Sequence, residues 1–298
     1  MAKSILGSSE EILVAVDAEG HARDALSEAL RLGGALGRHV HVLHAVEARR
    51  RFSLRVSDAE KRAAHARARD IVRGLLSEVS GEDGQAPTVE IAEGHPVQVV
   101  LEAIEQRHPA LLVVGRHGAG RRRDALIGTT AARLVRAARC PVLIRREAFR
   151  EGAPILVPVD MSPESLAALE VGAHLAEASG ALLYSLFVYQ PPEFVYAPED
   201  RELDYVVAGE RDTMLKEYRQ AVMANGLDSL ERALVTEGEP AECIAAKAVE
   251  LGVDMVVLGT HGRTGLSRWA LGSVAEAMVD RTTHSLLTVK LADRDFLV

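Results

Sequence analysis

Two glycine-rich segments carry the residues whose types and spacing could do chemistry. One runs from Gly115 to Thr129 and the other from Gly259 to Ser273, and both read Gly, two residues, Gly, nine residues, Gly, and then Thr or Ser. The first two glycines let the backbone turn sharply and approach a ligand closely. The third glycine and its hydroxyl neighbour predict a helix start, where unpaired N–H groups and the positive dipole end favour phosphate. The spacing predicts two anion-binding loops, although glycines that only shape a turn would give the same pattern.

An aspartate ends the first predicted strand of each half. The strand Ile12-Leu-Val-Ala-Val closes with Asp17, and its repeat Ile155-Leu-Val-Pro-Val closes with Asp160. In a doubly wound sheet the first and fourth strands are neighbours near the point where strand order reverses, so these carboxylates would lie near the glycine loops. Each could accept hydrogen bonds from ribose hydroxyls or cap the following helix. In the second half, Ser162 followed by Pro163 predicts a helix start.

Dedicated nucleotide-hydrolysing loops are missing from the sequence. The sequence contains no Gly-x4-Gly-Lys-Ser/Thr loop, so it also lacks the lysine by which such a loop stabilises a transferring phosphate. The Ser-Gly-Gly-x-Asp-Ser loop of ATP pyrophosphatases would follow strand one, where the chain instead reads Asp17-Ala-Glu-Gly and Asp160-Met-Ser-Pro. We therefore predict no catalytic residues and at most slow ATP hydrolysis.

The elements that must position these loops alternate between short β-rich runs and longer stretches with helical periodicity. This alternation predicts a parallel sheet with helices on both faces in each half. Strands are predicted at 11–17, 40–46, 88–92, 110–115 and 141–145, and again at 154–160, 182–189, 230–236, 253–259 and 285–290. Helices in the first half are predicted at 21–36, 58–79, 96–107 and 129–139, and a proline-rich loop is predicted from about 191 to 205.

The two halves of the chain are an internal sequence repeat. The first strands recur at an offset of 143 residues, whereas Glu93-Gly-His-Pro and Glu237-Gly-Glu-Pro recur at 144, so one residue is inserted within the second copy. A period this long indicates a duplicated domain rather than a solenoid. Two domains are predicted, 1–147 and 148–298, which agrees with a length of 298 residues. The fold class is α/β, with a five-stranded parallel sheet in each domain.

Composition excludes several other classes of protein. The chain is 48% hydrophobic and 26% charged, which is typical of a folded globular protein. No apolar run approaches the roughly 18 to 20 residues of a membrane span, and no signal peptide is recognisable, so a cytoplasmic protein is expected. The net charge of −8 divides into +5 for residues 1–150 and −13 for residues 151–298. Without aromatic residues interleaved in the basic half, nucleic-acid binding is disfavoured.

Cysteine and histidine placement predicts no metal site. Cys140 and Cys243 show no Cys-x-x-Cys spacing and are expected to be buried and reduced. His39 and His41 share one face of a predicted strand while His44 points to the other, which is a poor geometry for a three-histidine site, so ordinary strand-edge roles are expected.

These motifs, together with the segment Cys140-Pro-Val-Leu-Ile, resemble the universal stress protein family over nearly the whole chain. The resemblance implies two flavodoxin-like (Rossmann-like) domains that bind ATP, AMP or ADP, with or without magnesium. The glycine loop would surround the phosphates, and the strand-one aspartate would lie near adenine and ribose. The first implied site comprises Ala15, Asp17, Val46, Gly115, Gly118, Gly128, Thr129 and Thr130. The second comprises Pro158, Asp160, Val188, Gly259, Gly262, Gly272, Ser273 and Val274.

Two further loop features leave alternatives open. The residues 121–123 are three arginines, which could clamp phosphates or form a solvated basic turn, and the second half has Leu-Ser-Arg there. His117 and His261 occupy the same place in both loops and could contact phosphate or pack the loop.

The resemblance also implies that the last strands of the two halves pair antiparallel, with Ile144 and its neighbours meeting Leu287 to Val289. The chain would then be an intramolecular pseudo-dimer, and association of two chains into a homodimer would remain open. The predicted function is a nucleotide-binding sensor or regulator of a stress response, acting through an unidentified regulatory protein. A scaffold that binds no nucleotide and a slow ATPase are the alternatives.

Overall fold

A computed structural model describes residues 9–17, 22–47, 57–79, 86–116, 128–146, 150–190, 201–224, 231–261 and 271–290. The chain divides into two compact units. The first comprises residues 1–149 with 279–298, and the second comprises residues 150–278. Among the described residues, no helix has both the length and the apolar character needed to cross a membrane. The boundary expected between residues 147 and 148 remains a prediction.

The first unit alternates strands and helices as the sequence predicts, and its five predicted strands agree with the structure to within two residues. The elements are β1 (Glu11–Ala15), α1 (Ala22–Leu36), β2 (His39–Val46), α2 (Asp58–Val79), β3 (Thr88–Glu93), α3 (Pro96–Arg107), β4 (Leu111–Gly115), α4 (Thr129–Ala137) and β5 (Val142–Arg145). The strand order in the sheet is β3-β2-β1-β4-β5, and every neighbouring pair is parallel.

The central strands of this sheet are buried on both faces. Ile12, Leu13 and Val14 of β1 are fully buried, and β4 reads Leu-Leu-Val-Val before its terminal glycine. Continuous apolar runs of this kind are typical of parallel strands covered on both faces. The edge strand β3 is half-exposed or exposed throughout. Its position at the sheet edge accounts for the polar residues that it carries.

A sixth strand completes the first unit. Strand β10 (Ser285–Val289) pairs antiparallel with β5, and Ile144 lies opposite Leu286. The predicted antiparallel pairing of the two last strands is therefore confirmed. Leu287 and Thr288 lie opposite Leu143 and Val142, so the pairing begins one residue before the expected Leu287 to Val289. Directly after β10, the ammonium group of Lys290 donates hydrogen bonds to the carbonyl oxygens of Arg136 at 3.0 Å and Ala138 at 2.8 Å, at the carboxyl end of α4.

The second unit contains four parallel strands in the order β9-β6-β7-β8. The α/β class with parallel strands is thus confirmed in both units. The elements of the second half are β6 (Ile155–Pro158), α5 (Pro163–Ser179), β7 (Leu183–Tyr189), α6 (Arg201–Ala224), β8 (Glu231–Glu237), α7 (Pro240–Glu250), β9 (Met255–Gly259) and α8 (Ser273–Arg281).

Two sequence expectations about this half need correction. The loop predicted through residue 205 is too long, because α6 begins at Arg201. Cys243 is only half-buried rather than buried, whereas Cys140 is buried as expected. Cys243 lies in the first turn of α7, where its thiol contacts the carbonyl oxygen of Glu237 at 3.7 Å.

Candidate functional site

The ends of both glycine loops are joined by the same backbone hydrogen bond. In the first unit the amide of Gly128 donates to the carbonyl oxygen of Arg116 at 2.7 Å, and in the second the amide of Gly272 donates to the carbonyl oxygen of Thr260, also at 2.7 Å. Each loop therefore leaves its strand and returns to the same point before the next helix begins. The two halves therefore close their glycine loops by the same contact.

The third glycine of each loop begins a helix, as predicted. Gly128 has an extended conformation and is the N-cap of α4, and its carbonyl oxygen accepts a hydrogen bond from Ala132 at 3.0 Å. Gly272 accepts in the same way from Glu276 at 2.8 Å. No side chain caps α4. Its first N–H groups, beginning at Thr129, have no acceptor within the helix and are suited to an anion.

A cavity of about 600 Å³ opens at the carboxyl ends of the strands of the first unit. This volume is within the range of roughly 300–1,000 Å³ that small-molecule sites occupy. Its lining comes from the ends of β1, β2 and β4 and from the first turns of α3 and α4. The lining residues are Ala15, Val16, Asp17, Ala22, Leu43, His44, Ala45, Val46, Glu47, Pro96, Val100, Val114, Gly115, Arg116, Gly128, Thr129, Thr130, Ala131 and Leu134.

Seven of the eight residues predicted for the first site line this one cavity. Only Gly118 is missing from the set, because it lies outside the described residues, as do Gly262, His117 and the arginines 121–123. The cavity brings together the end of β1, the end of β2 and the start of α4, which are distant in sequence. Its role in binding a ligand stays a prediction.

The polar groups of the cavity come from the ends of three neighbouring strands. Asp17 and Glu47 follow β1 and β2, whereas Arg116 follows β4 and is adjacent to the start of α4. His44 is 8% exposed, and its Nδ1 lies 2.8 Å from the carbonyl oxygen of Val16. Because a carbonyl can only accept, Nδ1 carries the proton of this hydrogen bond. The cavity thus has carboxylates after β1 and β2 and an arginine after β4, the strand next to β1.

Asp160 of the second unit supports the start of α5. Its Oδ1 accepts hydrogen bonds from the amide of Ser162 at 3.0 Å and from the hydroxyl of Ser162 at 2.5 Å. Ser162 is the N-cap of α5, and its Oγ accepts from the amide of Ser165 at 3.2 Å. The predicted helix start at Ser162 is confirmed. Of the two roles open to Asp160, the structure shows the helix-capping one, in an indirect form that acts through Ser162.

Gly259, the first glycine of the second loop, is in close contact with the same helix start. A Cβ atom at Gly259 would come within 2.8 Å of the backbone carbon of Glu164. The absence of a side chain here is therefore required by packing against α5. The next residue, Thr260, is buried, and its Oγ1 lies 3.1 Å from Nδ1 of His261.

The other described residues predicted for the second site lie at strand ends and at a helix start. Pro158 ends β6, Val188 is the penultimate residue of β7, and Ser273 and Val274 open α8 after Gly272. Whether they contact a nucleotide stays a prediction.

Backbone pairing shows that Val46 and Val188 are not equivalent positions. The amide of Gly94 donates to Val46 and the amide of Gly238 donates to Tyr189, both at 3.1 Å. Tyr189 is thus the counterpart of Val46, and the counterpart of Val188 is Ala45, which also lines the first cavity. The extra residue of the second half falls between β7 and β8, because Val46 pairs with Glu93 and Tyr189 with Glu237.

Sequence reasoning missed three polar cavity residues. The sequence predicts an ordinary strand-edge role for His44 and gives no site role to Glu47 or Arg116. Glu47 and Arg116 directly follow a strand in the same way as the predicted residues do. Their position at the carboxyl edge of the sheet was the signal that could have identified them.

A separate polar cluster lies at the opposite ends of β1, β2 and β3. His41 is 1% exposed, so its assignment as an ordinary strand-edge histidine is corrected, and its Nε2 lies 2.9 Å from Oε2 of Glu90. Arg107 at the end of α3 donates to Glu90 at 3.0 Å and to Glu11 at 3.4 Å. Burial and the charge of Arg107 lower the pKa of His41. Among the described residues, no group of three or more His, Cys, Asp and Glu could hold a metal ion.

Comparison with known proteins identifies the class to which this fold and site belong. The family model for the universal stress protein family matches the chain twice, over residues 9–146 and 153–290. The chain is a tandem member of the universal stress protein family.

Individual proteins are similar to this chain over most of its length. A universal stress protein of Mycobacterium tuberculosis, Rv1996, is 30% identical over 230 residues, covering 73% of this chain and 69% of the relative. A solved universal stress protein from Archaeoglobus fulgidus superposes with a TM-score of 0.69 at 18% identity and covers 97% of this chain and 99% of its own. A solved structure from Pseudomonas aeruginosa, described as a universal stress protein, superposes with a TM-score of 0.70 at 21% identity, with coverage of 96% and 95%. At these identities the two solved structures support the fold alone.

Proposed function

We propose that this protein binds an adenine nucleotide, with ATP as the first candidate, in the cavity of the first unit and acts as a sensor or regulator of a stress response. The observation that carries the proposal is the convergence of seven residues, selected from sequence motifs, around a single cavity. Such convergence is expected of a ligand site at the carboxyl ends of parallel strands.

The chemistry of the cavity suits the parts of a nucleotide. The first N–H groups of α4 offer donors to phosphate oxygens. Asp17 and Glu47 can accept hydrogen bonds from ribose hydroxyls or from an amino group of the base. Apolar lining residues such as Val100, Val114 and Leu134 provide surface for a planar ring.

The second unit supports the proposal less directly. Its loop closure and helix start match those of the first unit, and this favours a second nucleotide site. However, Gly259 is required for packing against Glu164, and Asp160 supports the cap of α5. These contacts favour the alternative in which the second glycine loop is a scaffold that binds no nucleotide.

A regulatory role is proposed because the chain lacks the recognised phosphate-transfer loops. In this proposal the nucleotide alters the conformation of the chain or its affinity for a regulatory protein partner, and hydrolysis of ATP is slow. We further propose that the protein works in the cytoplasm and, with paired β5 and β10, resembles a dimer folded within one chain. Homodimers of the whole chain are compatible with this arrangement.

The test is calorimetric titration of ATP, with and without magnesium, into the full chain after bound nucleotide has been removed. We expect one site in the first unit and compare the unaltered chain with Ala45→Phe, which would fill the cavity. Ala45→Val is the matched control, because valine is the residue that the second half has at the equivalent position. Asp17→Asn and Asp160→Asn report on the two units separately.

Each outcome distinguishes the alternatives. Loss of one site with Ala45→Phe but not with Ala45→Val would support binding in the described cavity. A second site that is lost only with Asp160→Asn would extend the proposal to the second unit. Absence of heat, together with absence of nucleotide from the protein as purified, would contradict the proposal and favour the scaffold.

A further inference from the structure

Arg116 is held at the boundary between β4 and α4 by backbone hydrogen bonds on both sides. Its amide donates to the carbonyl oxygen of Arg145 at 3.1 Å, which continues the pairing of β4 with β5. Its own carbonyl oxygen accepts from Gly128 at 2.7 Å. The Cα of Arg116 is therefore fixed relative to both the sheet and the first turn of α4.

The side chain of Arg116 is only 6% exposed, yet the residue lines the cavity. A guanidinium stays charged at any physiological pH, so this position places a permanent, largely buried cation beside the cavity. The start of α4, with its positive dipole end, follows Gly128, whose amide is bonded to the backbone of Arg116. Asp17 and Glu47 belong to the ends of β1 and β2. The same cavity thus has acidic residues at the ends of β1 and β2 and a basic residue at the end of β4.

The second unit has no cation at this position. The equivalent residue is Thr260, because its carbonyl oxygen accepts the same hydrogen bond from Gly272 that Arg116 accepts from Gly128. Thr260 is fully buried, and its hydroxyl is hydrogen-bonded to His261. The two halves therefore differ in charge at the place where each glycine loop closes.

From this difference we propose that Arg116 determines specificity in the first unit, selecting anions that carry several phosphates over those that carry one. The inference rests on the proposed nucleotide function and adds to it the chemical class of the preferred ligand. A helix start can satisfy the oxygens of a single phosphate with backbone N–H groups. Further phosphates bring further negative charge into a site of low dielectric, and a guanidinium binds such groups with two parallel hydrogen bonds.

The experiment compares the affinities of the full chain for ATP, AMP and inorganic tripolyphosphate. The variants are Arg116→Thr, which copies the second half, Arg116→Gln, which removes the charge while keeping a long side chain, and Arg116→Lys, which keeps the charge. The charge-matched control is Arg107→Gln, which removes an arginine from the polar cluster at the opposite strand ends. Thermal unfolding of every variant tests whether the substituted chain is folded.

We expect Arg116→Thr and Arg116→Gln to weaken ATP and tripolyphosphate binding about tenfold or more, since hydrogen bonds to charged groups contribute roughly 1.5–3 kcal/mol. AMP binding should change less than about threefold, which lies within 1 kcal/mol. Arg116→Lys should retain part of the ATP affinity. The dependence of ATP binding on salt concentration should also decrease in the two neutral variants.

Equal weakening of ATP and AMP, or no change in either, would overturn the role of Arg116 while leaving nucleotide binding intact. If Arg116→Thr does not fold, Arg116→Gln and Arg116→Lys decide the question in the same way. Failure of the unaltered chain to bind any of the three ligands would instead overturn the proposed function. The two failures are therefore distinguishable.

Discussion

Gly259 lies so close to Glu164 that a Cβ atom on the glycine would be 2.8 Å from the backbone carbon and 3.0 Å from the carbonyl oxygen of Glu164. The end of β9 and the first turn of α5 thus approach each other through backbone atoms. Motif reasoning attributes this glycine to contact with a ligand, but the close neighbour is part of the protein. The glycine is required here irrespective of whether a nucleotide binds.

Gly259→Ala should therefore destabilise the second unit by about 1–3 kcal/mol, as overpacking of a close contact does. The neighbouring atoms are backbone, so they cannot move aside as the end of a flexible side chain could. Gly209→Ala is the control, because Gly209 is exposed within α6 and has no atom within 4 Å of an added Cβ. That control should be neutral or stabilising by about 0.5–1 kcal/mol. Thermal unfolding measures both variants, and equal stability of the two would refute the packing argument.

Ser162→Ala should destabilise α5 by about 1 kcal/mol or somewhat more. The substitution removes the acceptor for the amide of Ser165 and also the hydroxyl that donates to Asp160. Ser179→Ala, near the other end of α5, removes a hydroxyl that donates to the carbonyl oxygen of Leu175 and should change stability by less than about 0.5 kcal/mol. Hydrogen exchange of the amide of Ser165 gives a local readout. Unchanged protection there would show that the cap does not act through Ser162.

The fold could be predicted from sequence because its signals are local and repeated. The continuous apolar runs of β1 and β4, the Ser162-Pro163 start and the Gly128 N-cap each identify an element from a few neighbouring residues. Two copies of the pattern also indicate a duplicated α/β domain. The end of the proline-rich loop was misplaced because α6 begins with polar, charged residues that resemble a loop in composition.

The site could be predicted only in part, since its lining depends on tertiary contacts. The family resemblance predicts Val46 and Val188 as equivalent ends of the second strand of each half, but the backbone bonds from Gly94 and Gly238 make Tyr189 the counterpart of Val46. The burial of His41 and the cavity position of His44 depend on which helices and strands cover them. Neither is encoded in residue spacing along β2.

His41 should make the first unit less stable as the pH falls below about 6.5, the ordinary pKa of histidine. Burial, and next the charge of Arg107, lower the pKa of His41 in the folded protein, while Glu90 and Glu11 act in the opposite direction. In that range the unfolded chain binds a proton that the folded protein does not, so stability decreases as the pH falls towards the folded pKa. Denaturant unfolding at several pH values should show this slope.

His41→Gln should reduce that acid-side slope, because glutamine does not titrate. The same variant at pH 8 is the control for lost packing, since histidine is then neutral in both states. If the slope between pH 6.5 and 5 is the same with and without His41, the histidine does not contribute to acid sensitivity.

Lys290 and Cys140 should give the first unit an unusual stability profile at alkaline pH. Burial lowers the pKa of Lys290 to about 8, and burial raises the pKa of Cys140 to about 12. Between pH 8 and 10.5 the unfolded chain holds a lysine proton that the folded protein has lost, so this lysine makes stability rise with pH. Between pH 9 and 12 the folded protein keeps a thiol proton that the unfolded chain has lost, so this cysteine makes stability fall.

The two effects oppose each other between pH 9 and 10.5, so the unaltered chain should gain stability from pH 8 to 9, level off, and lose stability above 10.5. In Cys140→Ala only the lysine titrates, so the free energy of unfolding should rise up to about pH 10.5, by no more than about 3 kcal/mol. In Lys290→Met only the cysteine titrates, so the free energy of unfolding should fall from about pH 9 upwards. Lys290→Met should also weaken the end of α4, because the carbonyl oxygens of Arg136 and Ala138 lose their donor. Denaturant unfolding across this range separates the three profiles. Identical pH dependence in all three proteins would mean that neither group is as strongly shifted as its burial implies.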